Sequence, residues 1–358
     1  MGHPADVSRG RCFEVGQAEP SVTRMAEAES GPLAEGEVLF EVEKFAFSAN
    51  NVTYALLGQA LRYWDLFPAE PGWGRIPVWG YLRVLSSGVP GIEPGRRAYG
   101  LCPMATHVVL RPDRVGRSTF SEGSPSRKGL SSVYNVYSWA DPGRHEDALL
   151  VLSPSFWLSF TLDDYLARNT RADRADRTIV VTSASSKAAI GLAHLLTRRG
   201  VPVAGLTSPS RVPFARSLSL YDQVLPYDQA ESLPADAATM VDIAGDAALR
   251  DRIDRHLGRR PDIVIAGGTH GDAGALAVDS PDERTAVFSS PQAIPDLAHE
   301  WGWALLDQRF RAALESFAAH AASWLAIRRH RGLDGAAAVY QRVLTNADSP
   351  AEAHLIDV

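Results

Sequence analysis

The stretch "IVVTSASSKAAIGLAHLLTRRG", residues 179–200, decides the fold. Ile179-Val180-Val181 is a β-branched apolar run of the kind that forms a buried strand. Ser183 to Lys187 then reads as a tight turn, and residues 186–199 as an amphipathic helix. A phosphate at a helix N-terminus meets backbone N–H groups and the positive end of the helix dipole. Glycines usually build such a turn, yet the first glycine here is Gly191. Serine and alanine are small enough to replace them in part. Ser183, Ser185 and Ser186 add hydroxyl donors, and Lys187 adds a cation that a bound anion would offset. Gly191, one helical turn on, suits close packing of helix on strand. The same residues also fit a serine-capped helix behind a buried strand, with no ligand at all. The turn alone leaves both readings open.

Its surroundings extend the pattern. Strands are expected at 177–182, 202–207, 223–227, 239–244, 262–267 and 285–289, and helices at 186–199, 211–219 and 246–258. Such alternation gives a parallel α/β sheet covered on both faces, and six strands complete a doubly wound dinucleotide-binding domain. About 20 residues after the phosphate turn, an NAD site offers Asp or Glu to the ribose 2′-hydroxyl. Here that place holds Thr207, Ser208, Ser210 and Arg211, with no acid before Asp222. Hydroxyls and an arginine suit a 2′-phosphate, which an acid would repel. The expected cofactor is therefore NADP(H) rather than NAD(H). "VDIAGD" (241–246) and "VIAGGTH" (264–270) put small residues, including Gly245, Gly267 and Gly268, at strand ends. Ligands of doubly wound sheets lie there.

The first third is punctuated differently. "GEVLFEVEKFAFS" (36–48), "RIPVWGYLRVLSSG" (75–88) and "GRRAYGLCPMATHVVLRP" (95–112) read as short strands of a barrel-like β unit. "GRSTFSEGSPSRKGLSS" (116–132) reads as a loop, either a linker or a lid over a site. Helical spacing at Phe156, Phe160, Leu162 and Leu166 predicts a helix over 155–169. A long amphipathic helix is expected over 303–330, then a short strand at "HLIDV".

Composition narrows the function. The chain has 358 residues, is 45% hydrophobic and carries a net charge of -6, enough for a sizeable core and two domains. No Lys/Arg block stands out, so neither nucleic acid nor an anionic membrane is an expected partner. Ala312 to Ile327 is interrupted by Glu315 and His320 and is too short to span a bilayer. Two cysteines, Cys12 and Cys102, can build neither a disulfide framework nor a thiolate zinc cluster. "MGHPADVSRG" lacks an apolar signal region, so a cytoplasmic protein is expected.

This order of parts resembles the medium-chain dehydrogenase/reductase superfamily, in its zinc-free quinone-oxidoreductase-like branch. The resemblance spans nearly the whole chain, through "FAFSANNVTYALLG" (45–58), "IPVWGYLRV" (76–84), the 95–110 segment and the strand-turn-helix at 179. "YGLCPMATH", "VYNVY" (133–137), "SFTLDDYL" (159–166), "SASSK", "GLTSPS" and "YDQVLPYD" are closer to one bacterial and fungal family of that superfamily, which has no assigned activity. The chain departs from that family at Ser153, where an arginine is common, and at Ala188, where a threonine is. The resemblance implies a GroES-like β-rich catalytic domain over 1–152 and a Rossmann domain over 153–291. A helix and strand over 292–358 would return to the first domain. It also implies cofactor contacts from Tyr227, from Gly267 to Thr269, and from Phe288 and Ser289, and it suggests a homodimer. Tyr54 matches a tyrosine that some zinc-free reductases set beside the substrate carbonyl, and Asn51 shares its segment.

Hydride transfer asks little of side chains, because the cofactor carries the hard step. Without a zinc set, donors must meet the charge that grows on a carbonyl oxygen. Tyr54 and Asn51 are the first candidates; Tyr134, Asn135 and Tyr137 follow. For the latter tyrosines, packing with a satisfied hydroxyl is the competing role. Lone His107 reads as structural, and no metal is expected. The expected activity is NADPH-dependent reduction of an enone, enoyl thioester or ketone. The competing readings are a lyase or isomerase on the same fold, and a nucleotide-binding protein without catalysis.

Overall fold

A computed structural model describes residues 9–29, 32–143, 145–169, 178–234, 237, 239–258, 261–266, 283–345 and 347–358. The chain divides into two units: Met1–Val151 with Ala326–Val358, and Leu152–Leu325. The first unit opens with β1 (Arg9–Gly16), β2 (Thr23–Glu29), β3 (Val38–Phe47), helix α1 (Ala49–Leu56) and β4 (Trp73–Gly74). It continues through β5 (Pro77–Ser87), β6 (Arg97–Pro103), β7 (His107–Leu110), β8 (Pro112–Asp113), β9 (Thr119–Glu122) and β10 (Val136–Trp139). In β5, Val78, Gly80, Leu82 and Val84 are buried while Trp79, Tyr81 and Arg83 are not, the period-2 alternation of a strand with one core face.

The 116–132 segment is not the plain loop its composition suggests. It contains β9, which pairs with β8 and β10. It also buries Arg127, which pairs with buried Glu122 at 3.3 Å. Helix α2 (Glu146–Asn169) begins earlier than expected and runs through Pro154.

The second unit carries β11 (Ile179–Val181), α3 (Lys187–Arg198), β12 (Val203–Thr207), α4 (Val212–Ser217), β13 (Gln223–Pro226) and β14 (Thr239–Asp242). Then come α5 (Ala247–His256), β15 (Asp262–Ile265), β16 (Thr285–Val287), α6 (Ser290–Trp301) and α7 (Trp303–Ala321). The six strands form one parallel sheet in the order β13-β12-β11-β14-β15-β16. That is the doubly wound order, with its switch point between β11 and β14. The core on one side joins Val180, Ala204, Leu206, Met240 and Ile265 to Leu249 and Ile253 of α5.

The helix expected over 303–330 ends at Ala321. Residues 326–331 form strand β17 (Ala326–Arg331), followed by α8 (Gly332–Leu344) and β18 (Glu352–Asp357). β18 pairs parallel with β17 and antiparallel with β3, so the chain end completes the first unit's nine-stranded sheet. Among the described residues, no helix is long and apolar enough to cross a membrane.

Candidate functional site

In the turn after β11, Ser183 takes a left-handed backbone, φ 55°. Glycine adopts this region freely; serine does so only when its surroundings hold it there. The backbone holds it: Ala184 N–H donates to Leu206 O at 2.9 Å and Ser186 N–H to Ser183 O at 2.8 Å. Half-buried Tyr221 donates its hydroxyl to Ala184 O at 2.7 Å. Gly205 of β12 leaves room for this packing. A Cβ there would lie 2.8 Å from Ala184 Cβ and 3.0 Å from the Tyr221 ring.

The serine hydroxyls serve the protein itself. Ser186 is the N-cap of α3 and accepts from Ala189 N–H at 3.2 Å. Ser185 and Thr207 share a hydrogen bond of 3.0 Å. Tyr227 is half-buried, and burial raises the pKa of its hydroxyl. The turn therefore unites Ser183, Ser185, Ser186 and Thr207. It sits at the N-terminus of α3, where first-turn N–H groups have no acceptor within the helix.

The end of β12 carries no acid. Asp222 lies at the opposite end of that strand, where it accepts from Val203 N–H at 2.8 Å. Past Thr207 come Ser208 and Ser210, whose hydroxyls are 3.5 Å apart, in a 3-10 turn that ends at Arg211. The residues present therefore fit a 2′-phosphorylated dinucleotide.

Gly245 has a different setting. Its φ is 70°, and its N–H donates to Asp242 at 3.0 Å. Buried Asp242 also accepts from Thr182 Oγ1 at 2.9 Å and pairs with Arg250 at 2.9 Å. Thr182 in turn accepts from the N–H groups of Ile243 and Ala244. This network locks the two central strand ends together, and the sequence reading missed it. Its signal was present: an acid inside "VDIAGD", at a strand end. Phe288 and Ser289 lie beyond β16, three strands from β11. Phe288 packs on Tyr165 at 5.2 Å, and Ser289 precedes α6. Gly267, Gly268 and Thr269 lie outside the described residues.

In the β-rich unit the candidates separate by environment. Buried Asn51 is fully engaged: its Oδ1 accepts from Ser48 N–H at 2.9 Å, and its Nδ2 donates to Pro77 O at 3.0 Å. Tyr137 is core. Its ring fills the space beside Gly100, and its hydroxyl donates to Leu101 O at 2.5 Å and accepts from Arg127 at 3.2 Å. Burial pushes that hydroxyl up to about 12. Tyr54 and Tyr134 come together with Tyr63, which the sequence reading missed. Tyr54 meets Tyr63 edge-on at 4.7 Å, and the Tyr63 and Tyr134 hydroxyls are 3.3 Å apart. Burial, with Tyr63 beside it, pushes the Tyr54 hydroxyl up to about 12. Asn135 is half-buried, and its Oδ1 has no partner. His107 bonds its neighbour Thr106 at 2.9 Å.

Among the described residues, one group has metal-ligand chemistry: Asp348, Glu352 and His354, with ligand atoms within 4.8 Å. Arg342 lies 3.3 and 3.6 Å from the two carboxylates, and Arg328 lies 2.7 Å from Glu352. Those arginines balance the acids, so the group does not call for a cation.

The profile of the DUF2855 family, described as a protein of unknown function, matches residues 45–348. The chain belongs to the DUF2855 family. No curated protein matches this DUF2855 sequence. Solved structures do share its fold. CurA from Vibrio vulnificus is 14% identical over 98% of both chains, with a TM-score of 0.64. The quinone oxidoreductase from Coxiella burnetii is 12% identical over 98% of this chain and 99% of that one, TM-score 0.59. A mitochondrial 2-enoyl thioester reductase heterodimer from Candida tropicalis is 12% identical over 98% of this chain and 100% of that one, TM-score 0.58. The DUF2855 chain thus shares the fold of these structures, a β-rich unit and a doubly wound α/β unit, the fold class its sequence implied.

Proposed function

We propose that this DUF2855 protein is an NADPH-dependent, zinc-independent reductase of an enone, enoyl thioester or ketone. The observation that carries the reading is the acid-free end of β12, beside a phosphate turn on a complete six-stranded sheet. The structure of CurA in complex with NADPH, on the same fold at 13% identity, supports it. When bound, the reduced nicotinamide would supply a hydride. The turn at 183–187 would hold the pyrophosphate with backbone N–H groups, and Ser208, Ser210 and Arg211 would hold the 2′-phosphate. Tyr54, whose hydroxyl is protonated at neutral pH, would donate its proton to the substrate oxygen.

Fluorescence titration of the purified protein with NADPH and NADH tests this. NADPH is expected to bind more tightly. Arg211→Ala should weaken NADPH about tenfold or more and leave NADH unchanged, since a charged hydrogen bond contributes about 1.5–3 kcal/mol. A folded protein that binds neither nucleotide overturns the reading.

A further inference from the structure

Beside the Arg127–Glu122 pair, the first unit holds a cavity of about 240 Å³. All four residues of β7 line it. One face of a strand offers only alternate residues, so the cavity runs along the edge of β7. Among the described strands β7 pairs with β3 alone, which leaves that edge open. The polar lining is rich in donors and poor in acceptors. Arg127 is 3% exposed, and two corners of its guanidinium are fixed. Nε donates to Leu66 O at 3.0 Å, and Nη1 donates to Tyr134 O at 3.1 Å and to the Tyr137 hydroxyl at 3.2 Å. Nη2 meets no acceptor among the described residues. Arg75 lines the same cavity; its Nε donates to Glu14 at 2.9 Å, and neither Nη atom meets a described acceptor. The carboxylates, by contrast, are filled. Glu122 accepts from the Arg111 and Ser124 N–H groups, the Ser124 hydroxyl and Arg127. Glu14 accepts from Arg24 and Arg75. Burial lowers the pKa of His107 and pushes the Cys12 thiol up to about 12, so neither of these lining groups is charged at neutral pH.

We propose that this cavity binds a small carboxylate, an acid with one ring or a short chain, whose oxygens take the open Nη donors that Arg127 and Arg75 bring to it. A carboxylate offers acceptors only, and its hydrogen bonds with a guanidinium are charge-assisted. Because Nε and Nη1 already hold Arg127 in place, little side-chain freedom is lost on binding. The rest of the acid would meet Phe67, Val108 and Leu110, the apolar side of the lining. Drug-sized ligands fill about 300–1,000 Å³, so the occupant is smaller than these. The site lies wholly in the first unit and does not rest on the reductase reading.

The test is a ¹⁹F NMR titration of the full-length protein with 4-fluorobenzoate, and with 4-fluorobenzyl alcohol as its neutral match. The acid should bind about tenfold tighter than the alcohol, because only the acid makes charge-assisted bonds. Arg75→Met leaves Arg24 on Glu14, and Val109→Glu sets a carboxylate at an exposed position of the lining. Each should weaken the acid about tenfold and leave the alcohol unchanged. Neither side chain is buried, so both variants should keep the parent's far-UV circular dichroism. Arg114→Gln, at a surface arginine outside the lining, should leave the Kd unchanged. Equal affinity for acid and alcohol, or an unchanged Kd in both lining variants, overturns the site. Binding that is lost in Arg211→Gln but intact in Arg75→Met puts the acid at the nucleotide turn and overturns it as well.

Discussion

Acid should loosen the second unit through one buried imidazole. His194 sits on α3, the helix that begins at the phosphate turn, and is 7% exposed. Its Nε2 lies 3.1 Å from Ser316 Oγ, and its ring lies 5.4 Å from His320. Burial, then the neighbouring His320 and Arg198, lower its pKa from 6.5 to about 4. The folded value is below the unfolded one, so the unfolded chain takes up the proton first. The associated stability is intact above about pH 6.5 and is lost as pH falls toward 4. The full shift corresponds to about 3 kcal/mol, and between pH 7 and pH 5 the loss is about 2 kcal/mol. His320, whose pKa is also lowered by burial, acts in the same direction. Urea unfolding of the parent and of His194→Leu at pH 7, 6 and 5 isolates the contribution. Leucine cannot titrate, and the carboxylates common to both proteins cancel. The two stability curves should converge as pH falls, by about 2 kcal/mol at pH 5. Parallel curves would refute the reasoning.

The other predictions concern the turn and the β-rich core. Ser186→Ala removes the cap of α3 and should cost about 1 kcal/mol, read as a lowered unfolding midpoint, with weaker nucleotide binding in the same titration. Gly205→Val places carbon where Ala184 and Tyr221 now sit. It should cost about 1–3 kcal/mol and displace the turn, and full NADPH affinity in a folded variant would contradict the cradle. Tyr137→Phe leaves the Leu101 carbonyl without its donor and should lower thermal stability by about 1–3 kcal/mol; an unchanged Tm would contradict its assignment to the core.

What was legible in the sequence was what local pattern encodes. Each of the six parallel strands overlaps its expected run, and β11, β12 and β14 are buried throughout, the setting that gives a strand a continuous apolar run. The errors arose where distant partners decide. Trp324, Leu325 and Ile327 continue the apolar spacing of α7, yet β17 forms because Ala326–Arg331 finds a ladder on β18. Nothing local announces that pairing. Arg127 lies in a Ser/Gly/Pro-rich stretch, the composition of a solvated loop. It is buried because Glu122, Leu66 O and Tyr134 O all meet its guanidinium.

The turn at 183–187 shows how a glycine-poor sequence can keep a phosphate-binding shape. A glycine-rich turn reaches positive φ at no cost, whereas Ser183 takes φ 55° in a turn that the Ala184–Leu206 and Ser186–Ser183 backbone bonds fix. The hydroxyls of Ser185 and Ser186, expected to face a phosphate, instead bind Thr207 and the α3 backbone. An anion at this helix end would therefore meet backbone N–H groups and the helix dipole, with the hydroxyls keeping those groups in place. A rigid turn of this kind loses little freedom when a ligand binds. It also tolerates less change than a glycine loop, since Ala184, Gly205 and Tyr221 interlock behind it.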